Sequence, residues 1–316
     1  MRQIQPVVDK TGQMFYICSM SGIHIVWFRQ DLRVHDHAPL KAANLAATRD
    51  RARVLPLFIA EPDLVITPAT LDALRDLEPA LEQRGAALHY RTGDAVTVLS
   101  ELHRAHNVLS VYTHETTRDA GADRDVQAWC LRAGVAVRDF PQFGPQADSG
   151  WDAFMSAPRQ EAPSELVAAQ IGVGQRPSVE PAFEIDPPNQ KGGRRAAIQC
   201  LKSGLSSVSD LQKIAASGRE SGGEVFAQLR PHLDLGVLSL RETWQAAVTA
   251  RNQYLNAGHE IRAAQITELI KQLPQVYWRG RTGLGVARPG RRGEAVRTKR
   301  SDDPQLSLDL DPTGTA

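Results

Sequence analysis

Cysteine is scarce in this sequence, and so is any excess of charge of one sign. Cys18, Cys130 and Cys200 are too few and too scattered for a disulfide framework or for a four-thiolate iron–sulfur site. Three unpaired thiols predict a reducing, cytoplasmic setting. The 37 lysines and arginines nearly balance the 36 aspartates and glutamates. That balance excludes a positive net charge large enough to attract nucleic acid to the whole surface, although local basic patches are still possible.

Long apolar runs are missing from the beginning of the chain. Residues 1–20 contain no apolar stretch with a cleavage site, so neither a signal peptide nor a membrane span is predicted there. We expect residues 1–21 to be a disordered leader, with Met20 as an alternative start to Met1. A Gly-x-Gly-x-x-Gly dinucleotide fingerprint is also missing after every apolar segment.

The chain is organised around residues 23–40. This segment begins as an apolar, β-branched and aromatic run and then changes to charged residues, as a buried strand does when it leaves a sheet. The charged residues that follow the run are Arg29, Asp31, Arg33 and Asp36. Open parallel sheets collect their ligands at the carboxyl ends of strands. The charges could therefore neutralise one another beneath a cofactor, or they could form salt bridges that fix a loop.

Strand and helix patterns alternate from this segment to about residue 145. Further apolar strand patterns occur at 54–59, 86–91, 108–113 and 135–140, with helical patterns between them. Crossover helices between parallel strands explain this spacing. We therefore predict an α/β fold over residues 22–145, with a doubly wound, mostly parallel five-stranded sheet. Residues 146–193 are predicted to be an interdomain linker, since they are rich in Pro, Gly and Gln and have weak periodicity.

Several motifs resemble those of the DNA photolyase and cryptochrome family. The first is W-F-R-Q-D-L-R at residues 27–33. The second is F-P-Q-F-G at 140–144 with G-W-D-A-F-M at 150–155, and the third is L-R-P-H-L-D-L-G-V-L-S-L-R-E at 229–242. The resemblance implies a Rossmann-like amino-terminal domain and an all-α FAD-binding-like domain, truncated here, over 194–278. Residues 279–316 are first rich in Gly and Arg and then acidic and polar, without an apolar period, which predicts a disordered tail.

The resemblance implies FAD as cofactor and light-driven repair of pyrimidine dimers in damaged DNA. Arg230, His232 and Gly236 are the candidate FAD-binding residues, because they lie in the matching segment. The family's phosphate-holding hydroxyl groups correspond to Phe226, Ala227 and Arg230 here, so those hydroxyl groups are gone. We therefore expect a protein that is not catalytically competent alone, and no catalytic residue is assigned.

The resemblance also implies an antenna chromophore, of unknown identity, near the strand ends. The candidate residues for this sheet-edge pocket are Arg29, Asp31, Arg33, His114 and Glu115. Loop hydrogen bonds are the alternative role of His114 and Glu115. The alternative function is a non-catalytic accessory module that binds a chromophore or nucleotide. A third possibility is a degenerate product with exposed apolar helix faces. No metal site is predicted.

A short pattern in the tail resembles the peptide by which bacterial repair proteins bind the replicative sliding clamp. Its residues are Gln305, Leu306, Leu308 and Leu310. An extended segment of this kind offers a glutamine for hydrogen bonds and alternate leucines for an apolar groove. The pattern predicts a sliding clamp as a partner.

Overall fold

The computed structural model describes residues 4–8, 14–18, 22–116, 120–144, 150–178, 192–206 and 221–274. The strands of this part are β1 Ile4–Val8, β2 Met14–Cys18, β3 Ile23–Phe28, β4 Arg53–Ala60, β5 His89–Thr92, β6 Val108–His114 and β7 Ala136–Phe140. The helices are α1 Ala38–Asp50, α2 Pro68–Glu82, α3 Ala95–His106, α4 Ala120–Ala133, α5 Trp151–Ser156, α6 Arg194–Ser206, α7 Ser221–Asp234, α8 Leu240–Asn256 and α9 Glu260–Gln272.

The main sheet has five parallel strands in the order β5-β4-β3-β6-β7. Successive residues of β3 face opposite sides, so Val26 and Phe28 enter one apolar core while Ile25 and Trp27 enter the other. Helices cover both faces, which confirms the predicted doubly wound α/β fold. The strand order reverses between β3 and β6. Their carboxyl ends therefore form the switch point at which such sheets place ligands.

Local sequence signals explain where the helices begin. The side chain of Thr67 accepts a hydrogen bond from the Thr70 amide before α2, and that of Asp94 accepts one from the Thr97 amide before α3. Ser239 caps α8 in the same way. Each side chain satisfies an amide that the first helical turn leaves unpaired.

Residues 157–178, which belong to the expected linker, pack against the α/β domain. The amide of Val54 donates to the carbonyl of Val167 over 2.7 Å, and the amide of Tyr90 donates to the carbonyl of Val173 over 2.7 Å. Leu166 is 4% exposed. This segment therefore covers the β5 side of the sheet and differs from a free linker. Its bonds come from a sheet edge distant in sequence, which local periodicity does not reveal.

The amino-terminal segment also differs from the expected disordered leader. β1 and β2 pair antiparallel, with Ile4 opposite Cys18 and Val8 opposite Met14. The β-branched and aromatic residues of V-V and F-Y-I favour strands. The strand propensity of these residues therefore predicts their structure better than their place near the start of the chain does.

The described helical part shares a core with the α/β domain. Phe226, Leu229 and Leu233 are buried in the cluster that also contains β3 and β4 residues. Gly236 has φ +66°, and a Cβ there would lie 2.0 Å from the carbonyl oxygen of Gln30. Only glycine permits this close approach.

Large apolar side chains that are exposed in the described residues are scattered over several elements. They are Leu45, Val65, Leu131, Val173, Leu255 and Ile261. Single exposed side chains of this kind do not form an apolar helix face. Among the described helices, none has both the length and the hydropathy that a bilayer crossing requires.

Candidate functional site

The carboxylate of Asp31 is the centre of a buried polar cluster beyond the end of β3. Its Oδ1 accepts the Arg29 amide over 2.7 Å. Its Oδ2 lies 2.9 Å from Nδ1 of His114, at the end of β6, and 2.9 Å from Nε2 of His37, which precedes α1. Asp31, His37 and His114 are each less than 5% exposed. The cluster therefore joins three segments at the switch point.

The protonation of this cluster follows from burial and from the mutual interaction of its members. Burial opposes the charged form of Asp31, but His37 and His114 together hold the pKa of its carboxyl well below its usual range. Burial lowers the pKa of His114 to about 3, although Asp31 acts in the opposite direction. Burial likewise lowers the pKa of His37. A charged carboxylate between two neutral imidazoles is the resulting state.

Asp31, His37 and His114 are also the described residues that could hold a metal ion. The Leu40 amide donates to Nδ1 of His37 over 3.1 Å, so Nδ1 carries a lone pair. The proton of the neutral ring is then on Nε2, which faces Asp31. A metal ligand needs the opposite arrangement at Nε2. The chemistry of the cluster therefore favours two imidazoles around a carboxylate, with a hydrogen bond from His114 and a 2.9 Å contact without hydrogen-bond geometry from His37.

The Arg29 side chain fills the space between the ends of β3 and β6. Its Nη2 donates to Thr113 Oγ1 over 2.9 Å and to the His114 carbonyl over 2.7 Å. It also forms an ion pair with Asp123 and lies 4.4 Å above the Trp27 ring centroid. The cavity beside it measures about 10 Å³, which is close to the volume needed for one water molecule.

The remaining predicted sheet-edge residues are engaged in internal hydrogen bonds. Arg33 is 3% exposed, and its Nη1 donates to the Gly236 carbonyl over 2.8 Å. Glu115 Oε1 accepts the amides of Gln142 and Phe143, each over 3.0 Å. The structure thus brings the five candidates together and uses them to join β3 to neighbouring loops. For Glu115 this is the alternative role that the sequence left open.

His37 is the member of this cluster that sequence reasoning missed. Its position directly before Ala38-Pro39 is a helix-cap position, and its side chain does cap α1. That signal accounts for the cap but not for the contact with Asp31.

The three candidate FAD residues lie on α7 and at the turn after it. Arg230 Nε lies 3.5 Å from Asp234 Oδ2, one helical turn away. His232 is 6% exposed, and burial lowers its pKa. Gly236 packs against Gln30, and Phe226 is 6% exposed in the shared core. Phe226, His232 and Gly236 thus serve packing. Arg230, whose side chain is 32% exposed, is the one of the three candidates that keeps a charged group near the surface.

A cavity of about 470 Å³ lies between the α/β domain and the helical part. Its lining residues are His35, Asp36, Arg159, Gln160, Glu161, Arg194, Glu242 and Gln245. Asp36 is one of the charged residues that follow the first strand of the sheet, whereas the candidate FAD residues and the five candidate sheet-edge residues do not line this cavity. The predicted clamp residues Gln305, Leu306, Leu308 and Leu310 lie outside the described residues.

Sequence comparisons identify relatives for the α/β domain and beyond it. The family model for DNA photolyase matches residues 24–142. The cryptochrome DASH of Gloeobacter violaceus is 31% identical over 131 residues, which are 37% of this chain and 25% of that protein. The deoxyribodipyrimidine photo-lyase of Thermus thermophilus is 29% identical over 240 residues, 71% of this chain and 54% of that protein. The chain thus spans between a quarter and about half the length of these two relatives.

Solved structures share the fold over more of the chain. A bacterial class III photolyase from Agrobacterium tumefaciens has a TM-score of 0.58 and 21% identity, covering 82% of this chain and 59% of its own. A cryptochrome from Synechocystis has a TM-score of 0.63 and 16% identity, covering 83% of this chain and 62% of its own. At these identities the likeness concerns the fold. The family-model match and the curated relatives identify residues 24–142 as a domain of the photolyase/cryptochrome family.

Proposed function

We propose that this chain is a photolyase/cryptochrome protein that does not carry out flavin-dependent dimer repair by itself and acts as a non-catalytic accessory module. The observation that supports this most directly is the burial of Phe226, which is 6% exposed in the core shared by the two parts. The family resemblance requires a phosphate-holding hydroxyl group at this position. A buried phenyl ring offers no polar atom to a phosphate.

The flavin supplies the electron in the family's reaction, so retention of FAD decides between an enzyme and a module. Binding a dinucleotide requires enough enclosing surface and enough polar partners to offset its lost freedom of motion. Ala227 adds no polar side-chain group, and Arg230 is paired with Asp234. Damaged DNA stays a family-derived candidate partner for the module. The free thiols of Cys130 and Cys200 support a cytoplasmic location.

Absorbance and repair measurements on the full chain test this proposal. The purified protein is expected to lack flavin absorbance near 450 nm and to release no stoichiometric FAD on denaturation. It is also expected to leave pyrimidine dimers in irradiated DNA unchanged under blue light, both with and without added FAD. A flavin content near one per chain, together with light-dependent loss of dimers, would show that the chain is an active lyase.

A further inference from the structure

The cavity of about 470 Å³ between the α/β domain and the helical part has the volume of a small-molecule site. We propose that it binds a small phosphate-bearing anion of mononucleotide size. Four separate segments line it: the loop after β3, the stretch at 159–161, the first turn of α6 and the first two turns of α8. This inference does not depend on the proposed lack of flavin, because the candidate FAD residues do not line the cavity.

Two of the carboxylates that line the cavity are already neutralised. Arg194 holds Glu242 in a fork, with Nη1 3.1 Å from Oε2 and Nη2 2.9 Å from Oε1. Asp36 Oδ1 accepts the Gln160 amide over 2.9 Å and Arg241 Nη1 over 2.8 Å. Neither carboxylate therefore presents an unpaired negative charge to a ligand.

Arg159 is the cation with unused bonding capacity. Its Nη1 lies 3.6 Å from Glu242 Oε1, beyond a normal hydrogen bond, and that oxygen already accepts from Arg194. Its side chain is 52% exposed. A guanidinium in this position can bind two oxygens of a phosphate group at once.

The wider surroundings of the cavity carry more positive than negative charge. The lining itself holds two arginines and three carboxylates. With the charged residues around it the set becomes five arginines and four carboxylates: Arg33, Arg84, Arg159, Arg194, Arg241, Asp31, Asp36, Glu161 and Glu242. The pKa of His35, which lines the cavity, reflects this excess of positive charge. Burial lowers its pKa, Arg194, Arg84 and Arg159 lower it further, and Glu242 opposes them. The cavity also lies at the amino-terminal end of the 17-residue helix α8, which is the positive end of its dipole.

The rest of the lining is polar and suits a sugar or base more than an apolar group. Gln160 and Gln245 contribute amides, and Glu161 contributes an exposed carboxylate. Gln245 Nε2 is fixed by the carbonyls of Met155 and Ala157, over 2.8 and 2.9 Å, which leaves its Oε1 as an acceptor. The lining therefore supports a ligand whose phosphate binds Arg159 and whose sugar hydroxyl groups lie near Gln160, Glu161 and Gln245.

Calorimetric titration of the full chain with adenosine monophosphate, pyrophosphate and adenosine tests this site. Adenosine monophosphate and pyrophosphate are expected to bind saturably with one site per chain, and adenosine is not expected to bind. Arg159→Gln should weaken the binding of adenosine monophosphate at least tenfold. Arg251→Gln is the matched control, because Arg251 is a partly exposed arginine on α8 whose partner is Asn252. It should bind like the wild type, and both variants should melt as the wild type does.

A second readout is the imidazole of His35, followed by nuclear magnetic resonance. An anion bound beside it should raise its pKa, and adenosine should leave that pKa unchanged. Any of three results would overturn the proposal: no saturable binding of adenosine monophosphate, equal binding of adenosine, or unchanged affinity in folded Arg159→Gln. Binding of pyrophosphate without adenosine monophosphate would contradict the mononucleotide size. These outcomes are independent of the flavin content, so this proposal and the proposed function can fail separately.

Discussion

Asp31 shows how a buried charge is kept by its neighbours. The carboxylate accepts the Arg29 amide, and His114 and His37 lie within 2.9 Å of its second oxygen. Arg33 adds a nearby positive charge. A buried carboxylate without such partners would take up a proton instead. The two imidazoles thus stabilise the charge while staying neutral themselves.

This arrangement predicts a loss of stability in acid. The pKa of His114 is about 3 in the folded protein, against roughly 6.5 in an unfolded chain. Between these values the unfolded chain binds one more proton at this site, so the free energy of unfolding falls as the pH decreases through that window. His114→Asn keeps an N–H donor without a titrating ring. It should reduce the pH dependence by about one proton.

Urea unfolding between pH 7 and pH 4 measures this effect. His259→Asn is the control, because His259 is exposed and lies outside the cluster. It should keep the wild-type pH dependence. A wild-type slope in His114→Asn would show that His114 is not held neutral by burial.

At the scale of elements, the covering segment at 157–178 completes the sheet. It places Val167 and Ala169 beside the start of β4, before β5 begins, and then Val173 beside Tyr90 of β5. An edge strand with unpaired amides is a site for unwanted pairing, so covering it protects the fold. The segment therefore acts as part of the α/β domain.

Alanine substitution within this segment tests its structural role. Leu166 is 4% exposed, so Leu166→Ala should cost about 2–4 kcal/mol by leaving a cavity. Val173 is 41% exposed, and Val173→Ala should cost less than about 0.5 kcal/mol. Chemical denaturation gives both values. Equal and small losses would mean that the segment is a loose linker after all.

At the scale of the whole molecule, the α/β domain and the described helical part form one packed unit. The amide of Leu32 donates to the Leu235 carbonyl over 3.2 Å, and Arg241 pairs with Asp36 over 2.8 Å. Gly236 lies against the backbone of Gln30. Because these contacts join the loop after β3 to the turn before α8, the two parts are expected to unfold together.

Gly236→Ala tests this joining, with Gly134→Ala as its control. Both glycines have positive φ, +66° and +70°, but a Cβ at Gly134 would meet nothing within 4 Å. The backbone cost of about 1–2 kcal/mol is common to both variants. The close approach to Gln30 should add about 2 kcal/mol or more in Gly236→Ala alone.

Hydrogen exchange should also show weaker protection of the Leu32 amide in Gly236→Ala than in Gly134→Ala. Equal stabilities and equal protection in the two variants would show that the interface does not depend on this glycine.

The candidate site was only partly predictable from the sequence. The position of Arg29, Asp31 and Arg33 at the end of β3 follows from the change from apolar to charged residues, and the structure brings His114 and Glu115 to the same edge. The spacing of residues along the sequence does not predict that His37 contacts Asp31. It does not predict the ion pairs of Arg159 and Arg194 with Glu242 either, since these residues come from segments that are distant in sequence.

The amino-acid sequence by itself determined the alternation of strands and helices and the parallel sheet of residues 22–145, because apolar periodicity and helix caps act over a few residues. Only the tertiary structure decided which charges neutralise one another and where a cavity remains between the two parts. It also decided that the expected linker would cover an edge of the sheet. These outcomes depend on burial and on distances between segments far apart in the chain, and no local pattern encodes them.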